Sequence, residues 1–164
     1  MEFRKIIEVE FRDYDRRVLE KSSEWLNDPE IRDLTLTTDF DRDSQEEWFK
    51  TLPDRKDYFI QSVWRNNEPI GVCGIKHITS TDGEVWGYIG EKQYWGKAIG
   101  IEMMQHMFKY AKSINLESIY AVMLKDNHFS YKINLRFGFI VEKELDEKTI
   151  IMRYYFPSDS DNDH

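Results

Sequence analysis

Gly96-Lys97-Ala98-Ile99-Gly100 separates a strand-like run, EVWGYIG, from a helical one beginning IGIEMM. A glycine-spaced loop at a strand-to-helix junction turns several backbone N–H groups toward one point, and the helix dipole adds partial positive charge there. Such a seat suits a phosphate or pyrophosphate, and Lys97 adds a full charge. Glycine is also needed at tight turns for steric reasons alone, so the loop by itself supports only a generic anion site. It lacks the Gly-Lys-Ser/Thr ending of a P-loop and the glycine spacing of a dinucleotide fold, which argues against ATP and NAD.

A second constellation could move protons. If Asp82-Gly83 is a two-residue turn, counting sets Thr81 opposite Glu84, Thr79 opposite Trp86 and His77 opposite Tyr88, all on one sheet face. A histidine, with its ordinary pKa of about 6.5, takes an amine proton at neutral pH directly or through water, which makes His77 the first candidate base. The competing reading is a strand histidine satisfied by a neighbour such as Tyr88. Glu84 follows the turn directly, where a solvated carboxylate is the plainer reading. His106 falls on the surface of the long helix, His128 is a candidate cofactor or substrate contact, and His164 is in the tail. No His, Cys, Asp or Glu set has metal-ligand spacing, so no metal is expected. The single cysteine, Cys73, lies in the apolar run PIGVCGI and reads as a packing residue, not a nucleophile.

The elements that must position these residues follow from periodicity. FRKIIEVEF reads as a first strand, and Val18, Leu19, Ser22, Trp25 and Leu26 have helical spacing up to Pro29, which should end or kink that helix. Ser44-Gln45-Glu46-Glu47 is a capping-box pattern that would start a short helix carrying Trp48, Phe49 and Leu52. DYFIQSVWR, PIGVCGIKHI and EVWGYIG form an antiparallel meander, joined first through Asn66-Asn67. Ile99, Met103, Met107, Phe108 and Ala111 make the apolar stripe of a helix. The strand SIYAVML, a helix over 127–136 and the strands GFIVEKEL and TIIMRYYF follow.

The 164 residues suit one domain over residues 1–156, followed by an acidic, disordered tail over 157–164. A net charge of -8 opposes binding to nucleic acid or an anionic membrane. With no signal-peptide pattern, no apolar span and one cysteine, the expected location is the cytoplasm. Asp39, Asp41 and Asp43 could hold a cationic amine, although a loop charge run is commonly solvated. The aromatic residues Trp25, Phe40, Trp48, Phe49, Tyr58 and Phe59 would fill the core or cover a cleft.

Gln93-Tyr94-Trp95-Gly96-Lys97-Ala98 resembles the Gln/Arg-x-x-Gly-x-Gly/Ala loop of the GNAT superfamily of acyl-CoA-dependent N-acetyltransferases. DNHFSYKINLRFGF is similar to that superfamily's second motif, Asn-x-x-Ser/Ala followed by Gly-Phe. Both occur in the right order, within a resemblance running from Ile70 to Phe139. GYIGEKQYWGKAIGIE looks like the subgroup of ribosomal-protein, polyamine and amino-sugar acetyltransferases.

The resemblance implies an α+β fold of αβα layers. Its mixed, mostly antiparallel sheet of six or seven strands would be flanked by about four helices and splayed between strands four and five. It implies acetyl-CoA as acyl donor, with the pantetheine arm along the backbone of Tyr88, Ile89 and Gly90. The pyrophosphate would lie on the amides from Tyr94 to Gly100, that is Tyr94, Trp95, Gly96, Lys97, Ala98, Ile99 and Gly100, after Gln93. Asn127 and Ser130 would touch the cofactor, and a backbone N–H near Tyr88 to Gly90 would hold the oxyanion. Many members place a proton-donating tyrosine where this chain has Asn134, and Tyr131, a turn earlier, points about 60° away. WLNDPEIRDLT and SQEEWF resemble the amino-sugar enzymes, so an amino group of a nucleotide-linked sugar ranks first as acceptor. A protein N-terminus or a polyamine comes next, and a non-catalytic CoA-binding sensor stands as the alternative class. Monomer and homodimer are both open.

Overall fold

A computed structural model describes residues 7–37 and 41–158. Seven strands, β1 (Glu10–Asp13), β2 (Phe59–Arg65), β3 (Glu68–Lys76), β4 (Glu84–Ile89), β5 (Ser118–Leu124), β6 (Ile140–Glu144) and β7 (Thr149–Tyr155), form one sheet in the order β1-β2-β3-β4-β5-β7-β6. Every neighbouring pair is antiparallel except β4 with β5, which is parallel and joined at the single position Glu84↔Tyr120. Beyond that pair β4 runs on to Ile89 and β5 to Leu124 without bonding each other. The sheet is therefore splayed at its centre, and Gly87 is exposed in the middle of a central strand.

Five α-helices, one more than the expected four or so, cover the two faces: α1 (Arg16–Trp25), α2 (Pro29–Leu34), α3 (Arg42–Thr51), α4 (Ile99–Ser113) and α5 (His128–Phe137). The extra one comes from Pro29. Its fixed φ suits a first helical position, so it opens α2 after Asp28, whose side chain caps that helix, as well as ending α1. In α1, Asp15 accepts the Val18 N–H, and Val18, Leu19, Ser22 and Trp25 are buried. The α3 cap is Asp41, which accepts the Asp43 N–H; Ser44 lies inside the first turn, its hydroxyl donating to Asp41, so the helix begins before the capping-box pattern.

On one face, Cys73, Ile75, Val85, Ile119, Ala121 and Met123 pack under the α4 stripe Ile99, Met103, Met107 and Ala111, as expected. Burial pushes the Cys73 thiol up to about 12, so it is inert packing. On the other face Trp64 and Val72 meet Val18, Trp25, Leu26 and Ile31. Where α1 crosses the end of β4, a Cβ on Gly90 would lie 2.0 Å from the Trp25 ring.

The first strand is shorter than expected: residues 7–9 are not strand, and Phe3 to Ile6 lie outside the described residues. The β3–β4 hairpin also differs. Lys76 faces Glu84, Gly74 faces Trp86 and Val72 faces Tyr88, so residues 77–83 form a long loop, and neither His77 nor Thr79 nor Thr81 is in register with β4. The Thr79 hydroxyl accepts the Thr81 and Asp82 amides, which closes a turn one step earlier than Asp82-Gly83. Asn66 and Asn67 do form the tight turn expected of them, both at positive φ.

His106 is half-buried, not a surface residue. Its ring stacks on Phe11 with centroids 3.9 Å apart, and Nε2 lies 2.8 Å from Gln61 Oε1. Burial first, then Lys109, holds its pKa below the ordinary value. The unfolded chain therefore takes up the proton first as pH falls. The His106 contribution should be intact above about pH 6.5 and fade through the lowered folded value. His106→Phe should flatten the loss of Tm between neutral and mildly acid pH, as followed by calorimetry. Gly90→Ala should cost about 1–3 kcal/mol in urea unfolding, because the contact with Trp25 leaves no room for a methyl group.

Candidate active site

After β4 a 3-10 turn, Lys92–Tyr94, leads into Gly96 at φ 76 and Ala98 at φ 64, the latter being the N-cap of α4. Left-handed residues spaced in this way turn successive N–H groups inward as an anion-binding nest; the Ile101 amide turns back to the Ala98 carbonyl at 3.1 Å, and those of Ile99 and Gly100 stand ahead of the helical ladder. A Cβ on Gly96 would meet nothing within 4 Å, so glycine is there for its φ, and the ground above the nest is open. Gln93 and Lys97 are exposed beside it. The middle of α5 packs close, since a Cβ on Gly100 would stand 3.2 Å from Ile133. Asn127 caps α5 by accepting the Ser130 amide at 3.2 Å. Tyr94 packs half-buried on the core below Ile99, while His128 is exposed. Together these residues offer backbone N–H groups, a helix N-terminus and one lysine to an anion.

Strand alternation sorts the β4 backbone. The Gly90 amide donates to Ile70 in 2.8 Å, toward β3, and Tyr88 points the same way because the two lie in step along the strand. Gly87 and Ile89 therefore present their N–H and C=O groups to the open side, where β5 has left. The Ile89 carbonyl accepts the Trp95 indole N–H at 2.8 Å.

Glu84, Trp86 and Tyr88 share one face of β4, now with Lys76. Glu84 is 14% exposed and stands 3.6 Å from the Lys76 ammonium and 3.9 Å from His77 Nε2. His77, at φ 52 with 62% of its side chain exposed, sits on the loop rim. Burial, opposed by a hydrogen bond with Ser22, raises the Tyr88 phenol to about 12, so it remains protonated at neutral pH. Asn134 is buried on the opposite side of the sheet, its amide 3.4 Å from Met123 Sδ and 3.8 Å from Met152 Sδ. Tyr131 packs half-buried against the same core.

Across β4 from the nest, on the α1–α3 side, lies a cavity of 230 Å³. Tyr14, Trp48, Tyr58 and Trp86 form an arc along it, each ring edge-on to the next at 5.5, 6.0 and 6.1 Å. Thr35, Thr37 and Gln45 add polar groups, and among the described lining residues Lys76 is the charged one. Desolvation holds the Tyr14 and Tyr58 phenols above their ordinary range. The aromatic clue in the sequence thus found Trp48 and Tyr58. Tyr14 and Lys76 come to the cleft through register and crossing geometry that no local pattern announces. Of the other aromatics, Trp25 packs beneath Gly90, Phe59 stacks on Tyr110, and Phe40 lies outside the described residues, as does Asp39. Among the described residues no cluster could hold a metal ion, and no helix is long and apolar enough to cross a membrane.

A family model described as acetyltransferase (GNAT) domain matches residues 8–140. The chain belongs to that family, an acetyl-CoA-dependent N-acetyltransferase with acetyl-CoA as the acyl donor. A search of curated protein sequences finds no match. Among solved structures, the fold is similar to spermidine N-acetyltransferase from Vibrio cholerae in complex with CoA and spermine, at 18% identity and a TM-score of 0.81 over 90% of this chain and 95% of that one. It is also similar to the Campylobacter jejuni N-acetyltransferase PseH in complex with acetyl coenzyme A, at 18% identity and 0.71 over 92% and 100%. A third is ribosomal-protein-S5-alanine acetyltransferase from Vibrio fischeri, at 17% identity and 0.74 over 94% and 95%.

The Asn134 amide has two thioethers where a buried amide would ordinarily find oxygen. Asn134→Leu should accordingly leave stability unchanged or raise it by about 1 kcal/mol in chemical denaturation.

Proposed function

We propose that the enzyme acetylates a primary amine on an amino sugar, most specifically a nucleotide-linked one, by direct attack on acetyl-CoA. The observation that carries the acceptor is the cleft itself, aromatic and free of carboxylates among its described lining residues. Aromatic faces stack on the C–H face of a sugar ring, and the threonines, Gln45 and the tyrosine hydroxyls can bond its hydroxyl groups. A polyamine carries several positive charges and needs carboxylates, whereas Lys76 would repel it. The two resembling segments of the sequence, WLNDPEIRDLT and SQEEWF, border this cleft through Leu26, Thr35, Gln45 and Trp48.

The amine nitrogen enters from the cleft and attacks the thioester carbonyl carbon in the gap beyond Glu84. A C–N bond forms, and the carbonyl oxygen becomes an oxyanion held by an N–H on the open side of β4, Gly87 or Ile89. The C–S bond then breaks and CoA leaves as thiolate, which takes a proton from water or from the Tyr88 side of the cleft. Glu84, kept near Lys76, receives the ammonium proton through water, and His77 at 3.9 Å passes it to solvent. General-base assistance of this kind contributes about 10²–10⁴-fold.

Thiol release from acetyl-CoA should be fastest with amino sugars, nucleotide-linked ones above all, in a panel that also holds spermidine and peptides with free N-termini. Turnover of spermidine or peptide with none on any amino sugar would sink the acceptor reading. Glu84→Gln should lower kcat/KM about 100-fold, while His77→Gln should shift the acid limb of the pH profile with less than about tenfold loss.

A further inference from the structure

We propose that Glu91 and Lys92 are positioning residues that make one wall of the acceptor cleft depend on the state of the cofactor loop. The proposal rests on the acetyl-transfer reading of the two sides of β4. Neither residue belongs to the nest, which begins after them, and neither lines the cleft.

Glu91 Oε1 accepts the Trp25 indole N–H at 2.9 Å and stands 3.4 Å from Lys21 Nζ, so it holds the last turns of α1. Lys92 Nζ lies 2.7 Å from Asp28 Oδ2 and 3.4 Å from Glu30 Oε1 at the start of α2. Asp28 uses its other oxygen to cap α2, accepting the Glu30 and Ile31 amides at 2.9 and 3.4 Å. The same two residues are tied to the cofactor side: the Glu91 carbonyl accepts the Tyr94 amide at 3.0 Å, Lys92 sits 5.5 Å over the Trp95 ring, and Trp95 donates to the Ile89 carbonyl on the open side of β4. The wall that these contacts hold is part of the cleft. Ser22 of α1 and Leu26 at its C-cap, with Thr35 and Thr37 after α2, line the cavity.

Single ion pairs at a surface hold little, and Lys92 is 44% exposed. Here the element they hold is marginal. Helix α2 has six residues and one buried side chain, Ile31, so its own propensity and packing are small. Its place depends on the capped end that Lys92 grips, and on Trp25 wedged between Gly90 and Glu91. A ligand that orders the loop after Lys92 therefore orders the α1–α2 wall, and by reciprocity an acceptor against that wall favours the cofactor.

The test is hydrogen exchange with and without CoA, paired with two-substrate kinetics, on the full chain and on Lys92→Met, Lys92→Arg and Glu91→Ala. In the unaltered protein CoA should slow exchange over 88–100 and also over 16–37. In Lys92→Met the slowing should be confined to 88–100, with the acceptor KM raised about tenfold and the acetyl-CoA KM within twofold, and Lys92→Arg should restore both. Because Lys92 is exposed, its variants carry the test even if Glu91→Ala unfolds. Equal slowing over 16–37 in Lys92→Met and the unaltered chain, or none there in either, overturns the proposal. Absence of slowing at 88–100 in the unaltered protein would instead count against the cofactor seat, and would remove the proposal with it.

Discussion

The parallel pairing at Glu84 and Tyr120, bonded through the Gly83 carbonyl, is the point on which the site depends, because β4 and β5 are held there and nowhere further along. The loop 77–83 fastens it. Thr81 O accepts the Glu117 and Ser118 amides at 2.8 and 3.2 Å, Gly83 O accepts the Tyr120 amide at 3.0 Å, and Arg153 spans Asp82 and Ser118 at 3.0 and 2.9 Å. With one end pinned, the usual strand twist drives the other ends apart. Backbone groups of Gly87 and Ile89 are then left without a neighbouring strand, a cost that a folded chain avoids elsewhere. In the proposed reaction these are the groups that a thioester and its oxyanion would use.

The divergence also divides the molecule by charge and surface type. On the α4–α5 side, helix N-termini and the nest gather partial positive charge, although the chain as a whole carries a net charge of -8. Local backbone dipoles decide such a region, and over distances beyond the Debye length the overall charge is screened. On the α1–α3 side the acidic residues are occupied elsewhere: Asp41 caps α3, Asp28 caps α2 and Glu46 pairs with Arg16. Acidic composition therefore does not place a carboxylate among the described residues that line the cleft.

What could be read from the sequence was what local periodicity controls. SIYAVML is β5 to the residue, the α4 stripe is the buried one, and Asn127 caps α5 where its motif begins. The nest was legible because glycine at positive φ has few substitutes. The hairpin after β3 was not, since Asp82-Gly83 is a strong two-residue turn only if nothing else competes. Here Thr79 closes the turn and β5 claims the carbonyls of Thr81 and Gly83, a contact made by residues more than thirty positions on. That shift moved His77 to the rim and brought Lys76 opposite Glu84. The contact of Trp25 with Gly90 is equally non-local, so Gly90 looked like a cofactor contact when its first constraint is the helix above it.

Two buried polar groups sit on opposite sides of β4 with poor partners. The Trp86 indole N–H, in the aromatic arc, has none among the described residues, and the Asn134 amide has sulfur. A sequence selected for stability alone would replace both by apolar groups of similar shape, since an unmade hydrogen bond in a dry site costs more than a made one returns. A Cβ on Gly74 would lie 3.1 Å from the Trp86 indole nitrogen, so the bare glycine leaves the ring room against β3. The ring is thus held by packing with its donor idle, in line along β4 with Glu84 and Tyr88. That arrangement favours rigidity of the cleft floor over local satisfaction, which is the trade expected where a strand must present one face to an acceptor and one edge to a thioester.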